Sequence, residues 1–181
     1  MQGDPVDAAV TDGPPRALLI VAVLLTVAAI GVVLAMAAAQ RTPPQPVAIA
    51  TVPAAQAQSP DCQALLAALP ENLGDFHRAA TVEPTPAGTA AWRADGDPVI
   101  LRCGLGRPAE FVVGAPIQMV DQVQWFRLKD PDSRRTTWIC VDRPTYVALT
   151  LPDGSGPTLI QTLSAVIERT MATTPIRPAG P

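Results

Sequence analysis

The apolar positions of this chain change period along its length, and each period predicts a different element. From Ala17 to Ala39, "ALLIVAVLLTVAAIGVVLAMAAA", there is no alternation, and only Thr26 and Gly31 dilute an uncharged run. At about 1.5 Å per residue such a helix spans roughly 34 Å, the depth of a bilayer's hydrocarbon core. In "DCQALLAALP", residues 61 to 70, Leu65, Leu66 and Leu69 fall on one helical side, with Asp61 as a cap in front and Pro70 as a stop behind. β-like segments then follow at 98–103, 110–113, 122–128, 135–141 and 145–151, separated by Gly, Pro and Asp turn residues. A last helix is expected to begin near Ser155 or Gly156, with Leu159, Ile160, Leu163, Val166 and Ile167 at amphipathic spacing. The connections between the β-like segments are too short for helical crossovers, so the sheet should be antiparallel, with the C-terminal helix packed on one face. The expected class is α+β.

These periods divide the chain into an N-terminal stretch (1–16), a transmembrane helix (17–39), a Pro-rich linker (40–60), a folded domain (61–172) and a disordered tail (173–181). The linker, "TPPQPVAIATVPAAQAQSP" from Thr42, is uncharged and suits extended polyproline II, a spacer between bilayer and domain. Small-residue stretches at 37–39 and 55–57 also satisfy a signal-peptide cleavage pattern. The apolar run nevertheless exceeds the usual signal core of about 7 to 15 residues, and Asp4, Asp7 and Asp12 outweigh Arg16 ahead of it, so a retained anchor is expected. Arg16 before the helix and Arg41 after it leave the positive-inside rule tied. Three cysteines in the following domain suit an oxidising exterior and so decide the orientation: N-terminus cytoplasmic, domain outside, at the plasma membrane.

Charge adds an exclusion. With 16 acidic against 13 basic residues and no long run of either sign, the chain lacks the concentrated basic stretch of a nucleic-acid binder. The aromatic residues all fall between Phe76 and Tyr146, which locates the core. A metal is not expected, because Cys62, Cys103, Cys140 and His77 show none of the paired short spacings of zinc sites. A disulfide is the expected use of two cysteines. Closing either the 62–103 or the 103–140 loop contributes about 4 kcal/mol by chain entropy, so energetics leave the pairing open.

The succession "DCQALLAALP" (61–70), "AAW" (90–92), "PVILRCG" (98–104), "VQWF" (123–126) and "RPTYVALTLP" (143–152) resembles an actinobacterial family of uncharacterised membrane-anchored proteins, the domain of unknown function 3515. The resemblance covers about 62 to 170. It implies that Cys62 and Cys103 are the family's recurring pair and that Cys140 is an unpaired thiol. A further family cysteine, just before a "VDW"-like segment, has no counterpart in "APIQMVDQVQW". The resemblance brings no activity, cofactor or substrate.

Other motifs carry little chemistry. Gly104-Leu105-Gly106-Arg107-Pro108-Ala109 outlines a dinucleotide turn, but a strand-like "EFVV" follows where a helix N-terminus is needed. Ser155 in "DGSGP" lacks the G-x-S-x-G frame of a nucleophile elbow, and helix capping suffices for it. Asp95 with Asp97, and Asp130 with Asp132, read as turn acids rather than the start of a calcium loop. Trp125 and Trp138 read as sheet core. Trp92, placed outside the expected strands and followed by Arg93, is the candidate binding contact. Taken together, the residues predict a non-enzymatic envelope module without cofactor that binds a protein or wall component. The competing class is an extracytoplasmic hydrolase built on scattered carboxylates, or a thiol enzyme using Cys140.

Overall fold

The computed structural model describes residues 16–39, 45–129 and 133–180. The N-terminal stretch before Arg16, Arg41, the first linker residues and the Asp130/Asp132 pair lie outside them. The chain forms two units, divided between Pro43 and Pro44. In the first, α1 (Arg16–Ala39) is a single helix whose side chains from Arg16 to Met36 are all exposed. Thr26, the one hydroxyl in the run, donates to the Ala22 carbonyl at 2.8 Å and so presents no unsatisfied proton. A helix apolar all round is stable only where apolar surroundings cover it, and this one is long and apolar enough to cross a membrane.

The second unit is an eight-stranded sheet with two helices. Its strands are β1 (Asn72–Leu73), β2 (Phe76–Arg78), β3 (Thr89–Arg93), β4 (Val99–Leu105), β5 (Ile117–Val120), β6 (Val123–Lys129), β7 (Arg135–Cys140) and β8 (Tyr146–Pro152). All pairings are antiparallel, in the order β1-β2-β3-β4-β8-β7-β6-β5. Two meanders, β1 to β4 and β5 to β8, are therefore joined through β4 and β8, the most buried strands. Four strands fall where hydrophobic patterning puts them. The "EFVV" segment does not: Phe111 is buried as a plug, and Val112 makes only an isolated bridge to Ala179. β3, "TAAWR", is a strand without a readable pattern, because alanine has little β-propensity of its own. Asp121, at φ 51°, occupies the tight turn from β5 to β6, a conformation that Asp tolerates through its short polar side chain.

Alternation along the strands separates two faces. On one, Trp92, Val99, Leu101, Cys103, Trp125, Cys140, Val147 and Leu149 meet α2 (Pro60–Ala67) and α3 (Thr158–Thr170), with Leu159, Leu163 and Ile167 of α3 fully buried. Ser164 turns its hydroxyl to Trp125 Nε1 at 3.0 Å, so the buried indole proton is satisfied. Caps differ from expectation. Ser59 rather than Asp61 accepts from the first turn of α2, and Ser155 donates to the Pro152 carbonyl instead of capping α3.

The opposite face is covered at its two ends by segments expected to be a free spacer and a free tail. From residue 45 the Pro-rich segment packs onto the sheet: Val47, 1% exposed, hydrogen bonds with Ala80 and Val82, and Val47 and Ile49 cover Ala91 and Ile100. At the other end, Ala179 bonds with Phe111 and Val113, while Ile176 packs beside Phe126, Ile139 and Ala148. The folded unit thus extends past the expected 61–172 on both sides, because strand faces left bare by the helices recruit whatever apolar side chains the flanks offer.

Gly104 is where the flank crosses the sheet. Its φ of +92° suits glycine, and a Cβ there would overlap the backbone of Gln56 and Ala57. Gly104→Ala is expected to cost about 3 kcal/mol and Gly106→Ala, which faces open space, less than about 0.5 kcal/mol. Urea unfolding of the full-length protein in detergent, followed by tryptophan fluorescence, checks the difference.

Candidate functional site

The structure separates the residues singled out from sequence. Trp92 is not a surface contact: pairing with Val99 turns its ring into the core, 0% exposed, where Nε1 donates to the Pro70 carbonyl at 2.9 Å. The Arg78 guanidinium stacks 4.9 Å from the ring centroid, and burial lowers its pKa. Arg93, next along the strand, points to the opposite face and is half-buried, so the two do not form one surface. Cys62, in the first turn of α2, is bonded to Cys103, with Cα atoms 5.7 Å apart. The rival pairing is excluded by register: Cys103 and Cys140 both lie opposite Val147, so β8 stands between them. Two strand spacings put their Cα atoms about 10 Å apart, beyond the roughly 7 Å a disulfide bridges.

Cys140 is a free, fully buried thiol within a polar knot. Its Sγ lies 3.5 Å from Asp142 Oδ1. The other carboxylate oxygen of Asp142 accepts from the Gln124 amide at 3.1 Å and from Arg143 Nη1 at 2.9 Å. Arg143 Nη2 reaches the Gln122 carbonyl at 3.0 Å, and the Asp142 carbonyl accepts from the Thr174 amide at 2.9 Å. The pair therefore ties the start of β6, the β7–β8 connection and the C-terminal tail together. Burial first, then the charge of Asp142, hold the thiol protonated well above its ordinary value of 9.0. A nucleophilic thiolate needs the reverse environment. His77, exposed on β2, bonds to Asn72 Oδ1 at 2.7 Å and is separated from β8 and Ser155 by β3 and β4. Among the described residues, no three His, Cys, Asp or Glu side chains are grouped to hold a metal.

Polar groups converge instead on the outer face of the sheet. Between its two covered ends lies a cleft of about 340 Å³, lined by Ile100 and Arg102 of β4, Thr150 of β8, Arg135 and Thr137 of β7, Leu128 of β6, and Ser133. Thr137 and Thr150 share a hydrogen bond of 3.0 Å across the strands. Arg135 Nη2 donates to Asp97 Oδ1 at 2.8 Å, and that bond with the Arg135 charge holds the Asp97 carboxyl below its usual range; Arg134 and Arg93 add to the effect. Among the described residues Arg102 has no such relief: its Nε is buried without a partner there, and burial, then the charge of Arg135, lower its pKa. Patterning along the chain missed this concentration of arginines because its members come from separate strands and loops. One signal was present: Arg102 stands mid-strand in "VILRCGL", where every neighbour from Val99 to Gly104 is buried.

A second cleft, of about 390 Å³, lies where the G-x-G-x-x-A turn meets the flanks, with Arg107, Tyr146 and Arg177 on its walls. Arg107 Nη1 and the Tyr146 hydroxyl both donate to the Arg177 carbonyl at 3.5 Å. A turn and the Phe111 plug follow the glycines, so no helix N-terminus is offered to a pyrophosphate.

Residues 20–176 match the family model described as "Protein of unknown function (DUF3515)". No curated protein and no solved structure matches the chain.

The buried thiol has a consequence for stability. Below its ordinary pKa both folded and unfolded chains hold the proton. Above it only the folded chain does, so stability falls as pH rises, by about 1.4 kcal/mol per unit. Urea midpoints measured from about pH 8 to about pH 10.5 are expected to fall more steeply for the wild type than for Cys140→Ala. Equal slopes would show that the thiol ionises alike in both states.

Proposed function

The chain belongs to the DUF3515 family, and from that premise we propose that it is a membrane-anchored, extracytoplasmic module that binds or assembles a component of the cell envelope. The arginine-lined outer face of the sheet carries the reading. A folded sheet ordinarily covers such a surface or fills it with paired polar groups, whereas here the flanks cover both ends and leave a polar centre open. That arrangement supports recognition by fixed donors on rigid strands.

Two features support the location. The N-terminal helix is apolar around its whole circumference, as an anchor requires. The Cys62–Cys103 bond joins α2 to the central strand, and such bonds persist in oxidising compartments. The engagement of the candidate groups supports a non-enzymatic role: Cys140 is buried and held protonated, Asp142 is tied to Arg143, and Asp97 to Arg135.

Met119, 67% exposed on β5, offers a site for a reporter cysteine. In intact cells a membrane-impermeant maleimide is expected to label Met119→Cys and to leave the wild type, whose free thiol is buried, unlabelled. The protein should also remain in the membrane pellet after alkaline extraction. Labelling that needs permeabilised cells would place the domain inside; release by alkali would remove the anchor.

A further inference from the structure

The cleft on the outer face brings together two like charges that the fold does little to separate. Arg102 projects from β4 and Arg135 from β7, with β8 between them, and Thr137 and Thr150 lie beside them on β7 and β8. Among the described residues Asp97 relieves Arg135 through a single contact, from Nη2. The buried Nε of Arg102 has no hydrogen-bond partner among the described residues. A half-buried guanidinium whose Nε lacks a partner, set beside a second cation, is costly, and an anion in the cleft relieves both charges.

We propose that this cleft binds a phosphate group, held by Arg102 and Arg135 with the hydroxyls of Thr137 and Thr150. This deepens the binding reading above and rests on it for the origin of the ligand. The shape of the donor set favours phosphate over carboxylate. A planar carboxylate is saturated by one guanidinium fork, whereas a tetrahedral phosphate presents oxygens to donors arriving from several directions. Here the directions are two arginines from opposite sides and the hydroxyl pair from the sheet floor. Of the two bonded threonine hydroxyls, one donates to the other, which leaves one proton for the ligand. The cleft, at about 340 Å³, exceeds a phosphate alone, and Ile100 and Leu128 supply an apolar wall for the body of an ester.

Calorimetric titration of the full-length protein in uncharged detergent, with inorganic phosphate as the probe at fixed ionic strength, tests the site. Saturable binding is expected, weakened at least about tenfold by Arg102→Gln and by Arg135→Gln and unchanged by Arg107→Gln in the other cleft. Non-saturable heats, equal loss in all three variants, or acetate binding as tightly as phosphate would overturn the assignment. Should Arg102→Gln fail to fold, Arg135→Gln decides alone, and unaltered affinity in it is fatal to the proposal. Doping the micelles with phosphatidylglycerol separates the sources: competition with phosphate supports a lipid headgroup, and its absence a soluble or polymer-borne ester. Because the titration is independent of cellular location, an inward-facing domain in the maleimide experiment overturns the envelope reading and leaves the phosphate site standing.

Discussion

The antiparallel pairing of β4 with β8 is the constraint on which the rest of the domain depends. Each meander on either side of it forms from neighbours in sequence, but the two meet only along this pairing, from Ile100 facing Thr150 through Leu101 facing Leu149 to Leu105 facing Tyr146. That contact spans more than forty residues and requires the intervening β5, β6 and β7 to be ordered, so it carries the largest loop-closure cost in the sheet. It also decides chemistry. By standing between Cys103 and Cys140, β8 leaves Cys62 as the partner of Cys103 and Cys140 as an inert core thiol. On the other face the same strand carries Thr150 into the cleft between Arg102 and Arg135.

The two faces are stabilised differently. On the helix side, α3 and α2 bury large side chains, and the indole protons of Trp92 and Trp125 find a carbonyl and a hydroxyl, so a dry core holds no unsatisfied aromatic donor. The outer face has no helix. It depends on Val47 and Ile49 at one end and Phe111 and Ile176 at the other, the flanks supplying Val47, Ile49 and Ile176 and the β4–β5 connection supplying Phe111. The crossing of Ala57 over Gly104 and the Asp142–Arg143 knot hold those flanks in place. One departs from local preference by a positive-φ backbone and the other by a buried ion pair, and both lean on distant residues, the Gln56–Ala57 backbone in the first case and Gln122, Gln124 and Thr174 in the second.

The open centre of that face is the clearest departure from local consistency. Strand arginines normally lie on solvated faces or pair with carboxylates, yet Arg102 is half-buried with an unpartnered Nε beside a second guanidinium. Folding alone favours an apolar residue there. Departures of this kind concentrate where a protein holds polar groups ready for a ligand.

By itself the sequence determined the elements whose signals are local: the apolar helix, four of the eight strands and the amphipathic α3. Periodicity suffices there because each side chain's face follows from its own strand or helix. It did not reach β3, where alanines conceal the alternation and Trp92 was placed outside the sheet, nor the flanks, whose proline content predicts extended chain without saying what the chain lies against. The cleft was beyond it for the same reason. Arg102, Arg135, Thr137 and Thr150 become neighbours only through the registers of three strands, and register is set by tertiary pairing across long sequence separations.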